Sequence, residues 1–250
     1  MVYQALTLFN TLKQDILNDD VIEIKGVKVP NFFKTNSYNL QFEFCNQIIR
    51  LYQDYILQPN GYFGYENEHL TISKKDIVFD CGANMGLFAA YAASKGAQVY
   101  CFEPCSTTRL LLENTRRLYP NNIAIYPYAL DSEITTATFC LTDNMAANHL
   151  SKYNVNVNPR IGQEQVAVIT IDDFVANTGI IPTVIKMDIE GAEVSALQGA
   201  IQTLKMFNPK CVIAAYHTPE ITNKIHSTVR KFLSEWKIDK KQDNLLLYKI

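Results

Sequence analysis

Several polar residues with catalytic or ligand-binding chemistry come directly after short apolar runs of this sequence. They are Asp80, Glu103, Asp188 with Glu190, and His217. Each apolar run is typical of a strand that is buried on both faces of a parallel sheet. Because ligands of open α/β sheets bind outside the carboxyl ends of the strands, these side chains are predicted to meet in one site.

A turn with two glycines follows Asp80. Its residues are Gly82, Ala83, Asn84, Met85 and Gly86. Residues 87–95 then have a helical pattern. Glycine lets the backbone approach a ligand closely, and a helix N-terminus offers unpaired N–H groups. Strand, turn and helix therefore predict a nucleotide-binding corner, against the simpler alternative of a turn that binds nothing.

Glu103 follows this turn by roughly 20 residues, a spacing at which a carboxylate accepts hydrogen bonds from a ribose diol. Two cofactors fit that arrangement, a nicotinamide dinucleotide and S-adenosylmethionine. The dinucleotide fingerprint requires glycine where this chain has Asn84. The carboxylate of Asp80 would repel a pyrophosphate and attract an ammonium group. The residues therefore favour S-adenosylmethionine, and a nicotinamide-dependent oxidoreductase is the alternative.

The composition limits the class of protein. The chain has 250 residues, of which 48% are hydrophobic, and a formal net charge of −2 at pH 7. This charge does not indicate a nucleic-acid partner. No secretory signal and no apolar run of membrane-spanning length is apparent, so a soluble cytoplasmic protein is expected. The six cysteines include no C-x-x-C pair and are predicted to be reduced, mostly buried thiols.

The elements before residue 70 differ in pattern from those after it. They are a predicted helix over 1–20, a predicted hairpin over 21–29 and a predicted helix over 40–57. Aromatic residues at 62–65 follow and are expected to pack this segment onto the rest of the chain. Residues 1–70 are therefore predicted to form a mainly helical extension or cap, and residues 71–250 the cofactor-binding domain.

From residue 74 onward strands alternate with helices, the pattern of a doubly wound, Rossmann-like α/β sheet. Strands are predicted at 77–79, 99–102, 123–126, 134–141, 166–171, 183–187, 211–216 and 244–250, the last antiparallel to its neighbours. Helices are predicted at 87–95, 106–118 and 219–236. A short helix is also predicted to begin at Asp172, and a separate helix, which follows residues 188–193, is predicted to run to about residue 206. Residues 142–165 are predicted to be a long loop, either a substrate-facing lid or a surface excursion.

Four segments carry motifs of a known family. They are residues 80–86 (DCGANMG), 102–104 (FEP), 170–174 (TIDDF) and 186–193 (KMDIEGAE). They resemble the FkbM family of class I S-adenosylmethionine-dependent methyltransferases over residues 74–220. The resemblance implies a hydroxyl of a sugar, glycan or small natural product as methyl acceptor. The cofactor-binding residues that it implies are Asp80, Gly82, Ala83, Asn84, Gly86, Glu103, Pro104 and Asp188.

Methylation of a hydroxyl requires removal of its proton as the new bond forms. His217 has a pKa suited to general-base catalysis, with a structural histidine as the alternative. Asp188 or Glu190 is an alternative base, or a group that orients His217. These three residues would also suit a divalent metal, but their spacing is not diagnostic and no metal is expected. An amine or protein side chain as acceptor, or a non-catalytic cofactor-binding module, stays open as an alternative.

Other charged positions are given structural roles. Lys186 lies in an apolar run and is expected to pair with a neighbouring carboxylate. Glu193, Asp172 and Asp173 are each expected at the start of a helix, where a negative charge is favourable. The chain also lacks an Asn-Pro-Pro-Tyr loop of the kind that presents a base amino group, so methylation of nucleic-acid amino groups is not expected.

Overall fold

A computed structural model describes residues 19–52, 65–153, 158–241 and 243–249. Most of the predicted helix over 1–20, the end of the helix over 40–57, and Tyr62 and Phe63 lie outside these ranges. The strands are β1 Val21–Ile24, β2 Val27–Pro30, β3 Ile77–Cys81, β4 Gln98–Phe102, β5 Ile123–Tyr126, β6 Tyr128–Leu130, β7 Thr135–Thr142, β8 His149–Leu150, β9 Arg160–Ile169, β10 Val184–Met187, β11 Lys210–Ala214, β12 Trp236–Lys241 and β13 Asn244–Lys249. The α-helices are α1 Tyr38–Tyr52, α2 Leu87–Ser94, α3 Ser106–Leu118, α4 Ile171–Thr178, α5 Glu193–Gln198, α6 Ile201–Phe207 and α7 Pro219–Phe232.

The central sheet has seven strands in the order β12-β13-β11-β10-β3-β4-β5. Strands β11, β10, β3, β4 and β5 are parallel, and β13 is antiparallel to both β11 and β12. The chain builds outward from β3 to β5 and then returns to β10, on the other side of β3. Strand order therefore reverses between β3 and β10, the place where such sheets bind ligands. The predicted doubly wound fold with an antiparallel last strand is confirmed.

The apolar run of β3 follows from burial on both faces of the sheet. Successive side chains of a strand point to opposite faces. Val78 packs into the cluster that contains helix α2, and Phe79 packs on the opposite face. The ring of Phe79 contacts those of Phe102 and Phe174 edge-on, each with centroids 5.4 Å apart. Both layers of helices are thereby anchored on β3.

The described part of the N-terminal extension packs on the face that α2 covers. The predicted hairpin is confirmed as β1 and β2, which Lys25 and Gly26 connect with φ angles of 49° and 87°. Two left-handed residues are what a tight hairpin turn requires. Helix α1 buries Phe44 and Ile48 in the same hydrophobic cluster as α2 and β3. The extension and the sheet thus share one core.

A second sheet has four strands in the order β6-β9-β7-β8, whereas the sequence predicted two strands here, at 134–141 and 166–171, with a long loop between them. The loop prediction is wrong for residues 160–165, because β9 begins at Arg160 and pairs antiparallel with β7. Residues 160–165 are exposed or half-buried, so they lack the apolar alternation that identifies a strand. The segment from 142 to 159 also contains a 3-10 helix, Met145–Ala147, and strand β8.

Two predicted helices are shorter than expected. The helix predicted up to residue 206 is divided into α5 and α6 at Gly199, where an added Cβ would lie 2.2 Å from the carbonyl oxygen of Asp131. The close approach of these two backbones requires glycine. The helix predicted over 219–236 ends at Phe232, and the strand β12 that follows was not predicted. Its sequence, WKIDKK, is charged because it forms the edge of the sheet.

Asp172 caps a different helix from the one it belongs to. Its carboxylate accepts hydrogen bonds from the backbone N–H groups of Gln202 (3.0 Å) and Thr203 (2.7 Å), at the start of α6. Helix α4 is capped by the hydroxyl of Thr170, which accepts from the N–H of Asp173 at 2.9 Å. Capping was therefore the right role for Asp172, and its target is set by tertiary packing.

The described ranges contain no helix that is long and apolar enough to cross a membrane. All six cysteines lie in these ranges, none forms a disulfide, and five are buried, as predicted.

Candidate active site

The turn after β3 has a backbone shape that only glycine fits. Gly82 has a φ of +78°, and a Cβ built on it would lie 2.0 Å from the carbonyl oxygen of Asp188. Gly86 has a φ of +89°, and a Cβ there would lie 2.5 Å from Leu112 Cδ1. Asn84 between them is also left-handed, with a φ of 51°. The turn is thereby held against the backbone that follows β10.

Asp80 is fully buried beneath this turn, inside β3 rather than after it. It is the register partner of Lys186 on β10, whose Nζ lies 3.0 Å from Asp80 Oδ1 and donates to the Gly82 carbonyl at 2.8 Å. The predicted pairing of Lys186 with a carboxylate is confirmed. Burial lowers the pKa of Lys186, but the carboxylates of Asp80 and Asp188 raise it by more. The net pKa is therefore raised, and the ammonium stays charged. Beyond this ion pair, neither Asp80 oxygen has a hydrogen bond of good geometry within the described chain.

Glu103 follows β4 and faces the turn. Its Oε2 accepts the N–H of Asn84 at 2.9 Å, and its Oε1 accepts the N–H of Cys105 at 3.0 Å. Burial raises the pKa of Glu103 to about 7, while these hydrogen bonds act in the opposite direction. The carboxylate therefore lies where the sequence predicts a ribose partner, and it is close to half protonated at neutral pH.

Asp188 follows β10, with two tyrosine hydroxyls on its carboxylate. Tyr216 donates to Oδ1 at 2.9 Å and Tyr65 donates to Oδ2 at 3.4 Å. The Tyr216 hydroxyl also lies 3.5 Å from Glu190 Oε1. Burial and the neighbouring carboxylates raise the pKa of Tyr216, so its hydroxyl stays protonated. The sequence assigns neither tyrosine to the site: Tyr65 belongs to the N-terminal extension, and Tyr216 directly precedes His217, to which the catalytic role was given instead.

His217 lies behind these groups, with its side chain only 2% exposed. Its Nε2 is 3.2 Å from Glu193 Oε1 and 3.8 Å from Asp188 Oδ1, and its Nδ1 is 3.7 Å from Glu190 Oε2. Burial lowers the pKa of His217, but the Glu193 hydrogen bond and the three carboxylates raise it to about 9. The imidazole therefore keeps its proton near neutral pH.

Glu193 is fully buried and orders the loop between β10 and α5. Its Oε1 accepts the N–H of Ile189 at 2.9 Å, and its Oε2 accepts the N–H of Gly191 at 3.0 Å. The same Oε1 faces His217. Glu193 thus links the loop that carries Asp188 and Glu190 to the segment after β11.

A metal-binding set is also present in outline. Asp188, Glu190 and His217 each offer one ligand atom, and these three atoms lie within 4.8 Å of one another. This spacing is compatible with a divalent ion. In this structure the imidazolium and the Tyr216 hydroxyl compensate the two carboxylates. The absence of a metal stays a prediction.

These groups surround one cleft at the switch point of the sheet. From the predicted site it is lined by Gly82, Ala83, Asn84, Glu103, Pro104, Asp188 and Glu190. The cleft is not lined by Asp80, Gly86 or His217, so these three predicted site residues lie outside its surface. From elsewhere it is lined by Glu43, Gln47, Tyr65, Met145, Asn148, Leu150 and Tyr216, among others. Helix α1 and the segment after β7 are thus walls of the same cleft.

The central sheet, the glycine turn after β3 and the carboxylates after β4 and β10 define a class I methyltransferase fold. The sequence matches the methyltransferase FkbM domain over residues 80–240. This match covers more than half of the chain, which therefore belongs to the FkbM methyltransferase family. The family and the fold predicted from the motifs are confirmed.

Two known proteins are similar to this chain. Hexuronic acid methyltransferase AglP of Haloferax volcanii is 28% identical over 173 residues, which cover 67% of this chain and 68% of that protein. The crystal structure of methyltransferase FkbM from Methylobacillus flagellatus KT has a TM-score of 0.55 and 21% identity, over 86% of this chain and 55% of that chain. This chain thus spans just over half the length of that structure, and the likeness shows the fold.

Proposed function

We propose that this methyltransferase uses S-adenosylmethionine and methylates a hydroxyl of a sugar, glycan or small natural product. The observation that carries the proposal is the cleft itself, which the glycine turn, Glu103, Asp188 and Glu190 line together. The Haloferax volcanii relative is named as a hexuronic acid methyltransferase, which supports a sugar as the acceptor.

The residues present fit this cofactor. Glu103 is a buried carboxylate that two backbone N–H groups orient toward the turn, and a ribose diol would supply further donors to it. An added Cβ at Gly82 would strike the Asp188 carbonyl, so glycine keeps the turn packed against the loop that carries Asp188. Gly82, Ala83, Asn84, Glu103 and Pro104 would hold the cofactor. When bound, it supplies a methyl group on a positively charged sulfur.

The chain's own residues align the acceptor and take its proton. Asp188 and Glu190 line the cleft, and we assign acceptance of the hydroxyl proton to one of these two carboxylates. The tyrosine hydroxyls on Asp188 fix the orientation of its carboxylate. His217 is a positioning residue in this proposal, because its protonated ring is buried behind both carboxylates.

We further propose that residues 1–70 act as a cap on a methyltransferase domain of residues 71–250. Support comes from Glu43, Gln47 and Tyr65, all of which line the cleft although they precede the domain.

The test is a methyl-transfer assay that measures release of S-adenosylhomocysteine with sugar acceptors. Asp188→Asn combined with Glu190→Gln should lower kcat by about 100-fold or more, since general-base catalysis contributes on that order. Asp20→Asn serves as the matched control, because Asp20 is exposed and pairs only with Lys34 in the described chain. Full turnover by the double variant would contradict the assignment, and tight NAD binding would contradict the proposed cofactor.

A further inference from the structure

The charged side chains that line the cleft are mostly of one sign. Among the described residues the lining carboxylates are Glu43, Glu103, Asp188 and Glu190. The lining ammonium is Lys186, and the buried carboxylate of Asp80 already lies 3.0 Å from it. The imidazolium of His217 is likewise enclosed by carboxylates. The wall therefore presents an excess of negative charge to whatever enters.

Glu43 brings part of this charge from outside the methyltransferase motifs. It lies on α1, is only 9% exposed, and accepts a hydrogen bond on Oε1 from Gln47 Nε2 at 2.7 Å. Among the described side chains no lysine or arginine forms an ion pair with it.

Helix α1, which holds Glu43, is tied to the segment after β7. Asn39 Nδ2, on the same helix, donates to the carbonyl oxygen of Asp143 at 3.1 Å, just before the 3-10 helix Met145–Ala147. Met145 and Ala146 line the cleft beside Glu43 and Gln47. Apart from Glu43, the described lining residues of α1 and of the 3-10 helix are uncharged, so an anionic group placed here finds no cationic partner among the described side chains.

We propose that the methyl acceptor is a neutral or cationic polyhydroxyl compound, such as a neutral or amino sugar, and that Glu43 is a specificity-determining residue that excludes carboxylate-bearing sugars. The inference rests on the proposed function and names its substrate class. Hydroxyl and ammonium groups donate to carboxylates, and a sugar carboxylate beside Glu43 and Asp188 is repelled. The cofactor brings a carboxylate of its own, so its net charge of about +1 leaves the wall acidic.

The test compares three acceptors that share one ring, the methyl β-glycosides of glucose, glucosamine and glucuronic acid. Transfer from methyl-labelled S-adenosylmethionine gives kcat/KM for each acceptor. The glucuronide should be used at least about tenfold less efficiently than the glucoside, because like charges at short range are unfavourable by that order. Glu43→Gln should raise the glucuronide-to-glucoside ratio by about tenfold, and Gln47→Glu should lower it. Glu23→Gln is the matched control, because the Glu23 side chain on β1 is exposed.

Each outcome decides between the two proposals. A glucuronide used as well as the glucoside, or a ratio that both variants leave unchanged, overturns this inference while the proposed function stands. Label recovered on the glucuronide as an alkali-labile ester also overturns it, since the carboxylate itself would then be the acceptor. Transfer to none of the three acceptors overturns this inference, whereas no release of S-adenosylhomocysteine with any sugar acceptor overturns the proposed function and the inference with it. If Glu43→Gln does not fold, Gln47→Glu tests the same wall.

Discussion

At the scale of single residues, Asp80 and Lys186 form a buried ion pair, and the sequence predicted that Asp80 is important but not where its side chain lies. Sequence reasoning identified Asp80 as chemically important and expected a carboxylate partner for Lys186. It placed Asp80 at the end of its strand, whereas the side chain is fully buried within β3. Any effect of Asp80 on a ligand therefore passes through Lys186 and the Gly82 carbonyl.

Asp80→Asn should lower the free energy of unfolding by about 3 to 5 kcal/mol, since it leaves a buried ammonium without its counter-charge. The side chains of Asp80 and Lys186 are 0% and 6% exposed, so solvent cannot compensate. Chemical denaturation measures the change. The double variant Asp80→Asn with Lys186→Met should recover much of the loss. A single variant as stable as the wild type would show that the pair does not stabilise the fold.

His217 should make stability depend on pH. Its pKa is about 9 in the folded chain and 6.5 as the ordinary value, so it stabilises the fold fully below pH 6.5 and loses this contribution as pH rises through 9. The shift corresponds to on the order of 3 kcal/mol. His217→Gln should therefore be most destabilising near pH 6 and least near pH 10, as measured by denaturation. An NMR titration that finds this imidazole neutral at pH 7 would contradict the account.

At the scale of elements, the buried parallel strands were predictable and the polar ones were not. Strands β3, β4 and β10 are mostly apolar because both of their faces are covered, and the exceptions are exposed Gln98 and the ion pair of Asp80 with Lys186. Strand β9 and strand β12 are rich in polar residues, since one extends away from the core and the other is an edge. Likewise Tyr65 joins the site through a loop of the N-terminal extension, and no local pattern identifies it.

The turn after β3 should be the least tolerant glycine element of the fold. Gly82→Ala combines a left-handed φ with a clash against the Asp188 backbone, and it should cost about 3 kcal/mol or more of stability and weaken cofactor binding. Gly179→Ala is the matched control, because Gly179 has a φ of +70° but open space around its Cα. That variant should lose only about 1 kcal/mol. Equal losses at both positions, measured by thermal denaturation, would show that the close approach is unimportant.

At the scale of the whole molecule, the cleft depends on three parts of the chain. The sheet provides the motif residues, α1 provides Glu43 and Gln47, and the segment after β7 provides Met145 and Asn148. Sequence motifs located the first part. The other two were assigned only as an extension and a loop, because their contribution arises from where they fold back onto the sheet.

Because α1 shares a core cluster with the sheet, the described chain should unfold as one unit. Phe44 is fully buried and contacts Phe32 and Phe33 edge-on, so Phe44→Ala should cost about 3 to 5 kcal/mol. The single tryptophan, Trp236, lies on the distant edge strand β12. In Phe44→Ala, the unfolding midpoint measured by tryptophan fluorescence should shift by the same amount as the midpoint measured by far-ultraviolet circular dichroism. A tryptophan transition that Phe44→Ala leaves unchanged would indicate separate unfolding of the extension.

The central claim, that Glu103 holds the ribose of an adenosyl cofactor, is tested most directly by calorimetric titration with S-adenosylmethionine in buffers of different ionisation enthalpy. With a pKa of about 7, Glu103 is half protonated at neutral pH, and hydroxyl donors favour its charged form. Binding at pH 7 should therefore release roughly half a proton per cofactor, and Glu103→Gln should abolish the release and weaken binding. Binding without proton release, equally tight in Glu103→Gln, would contradict the account.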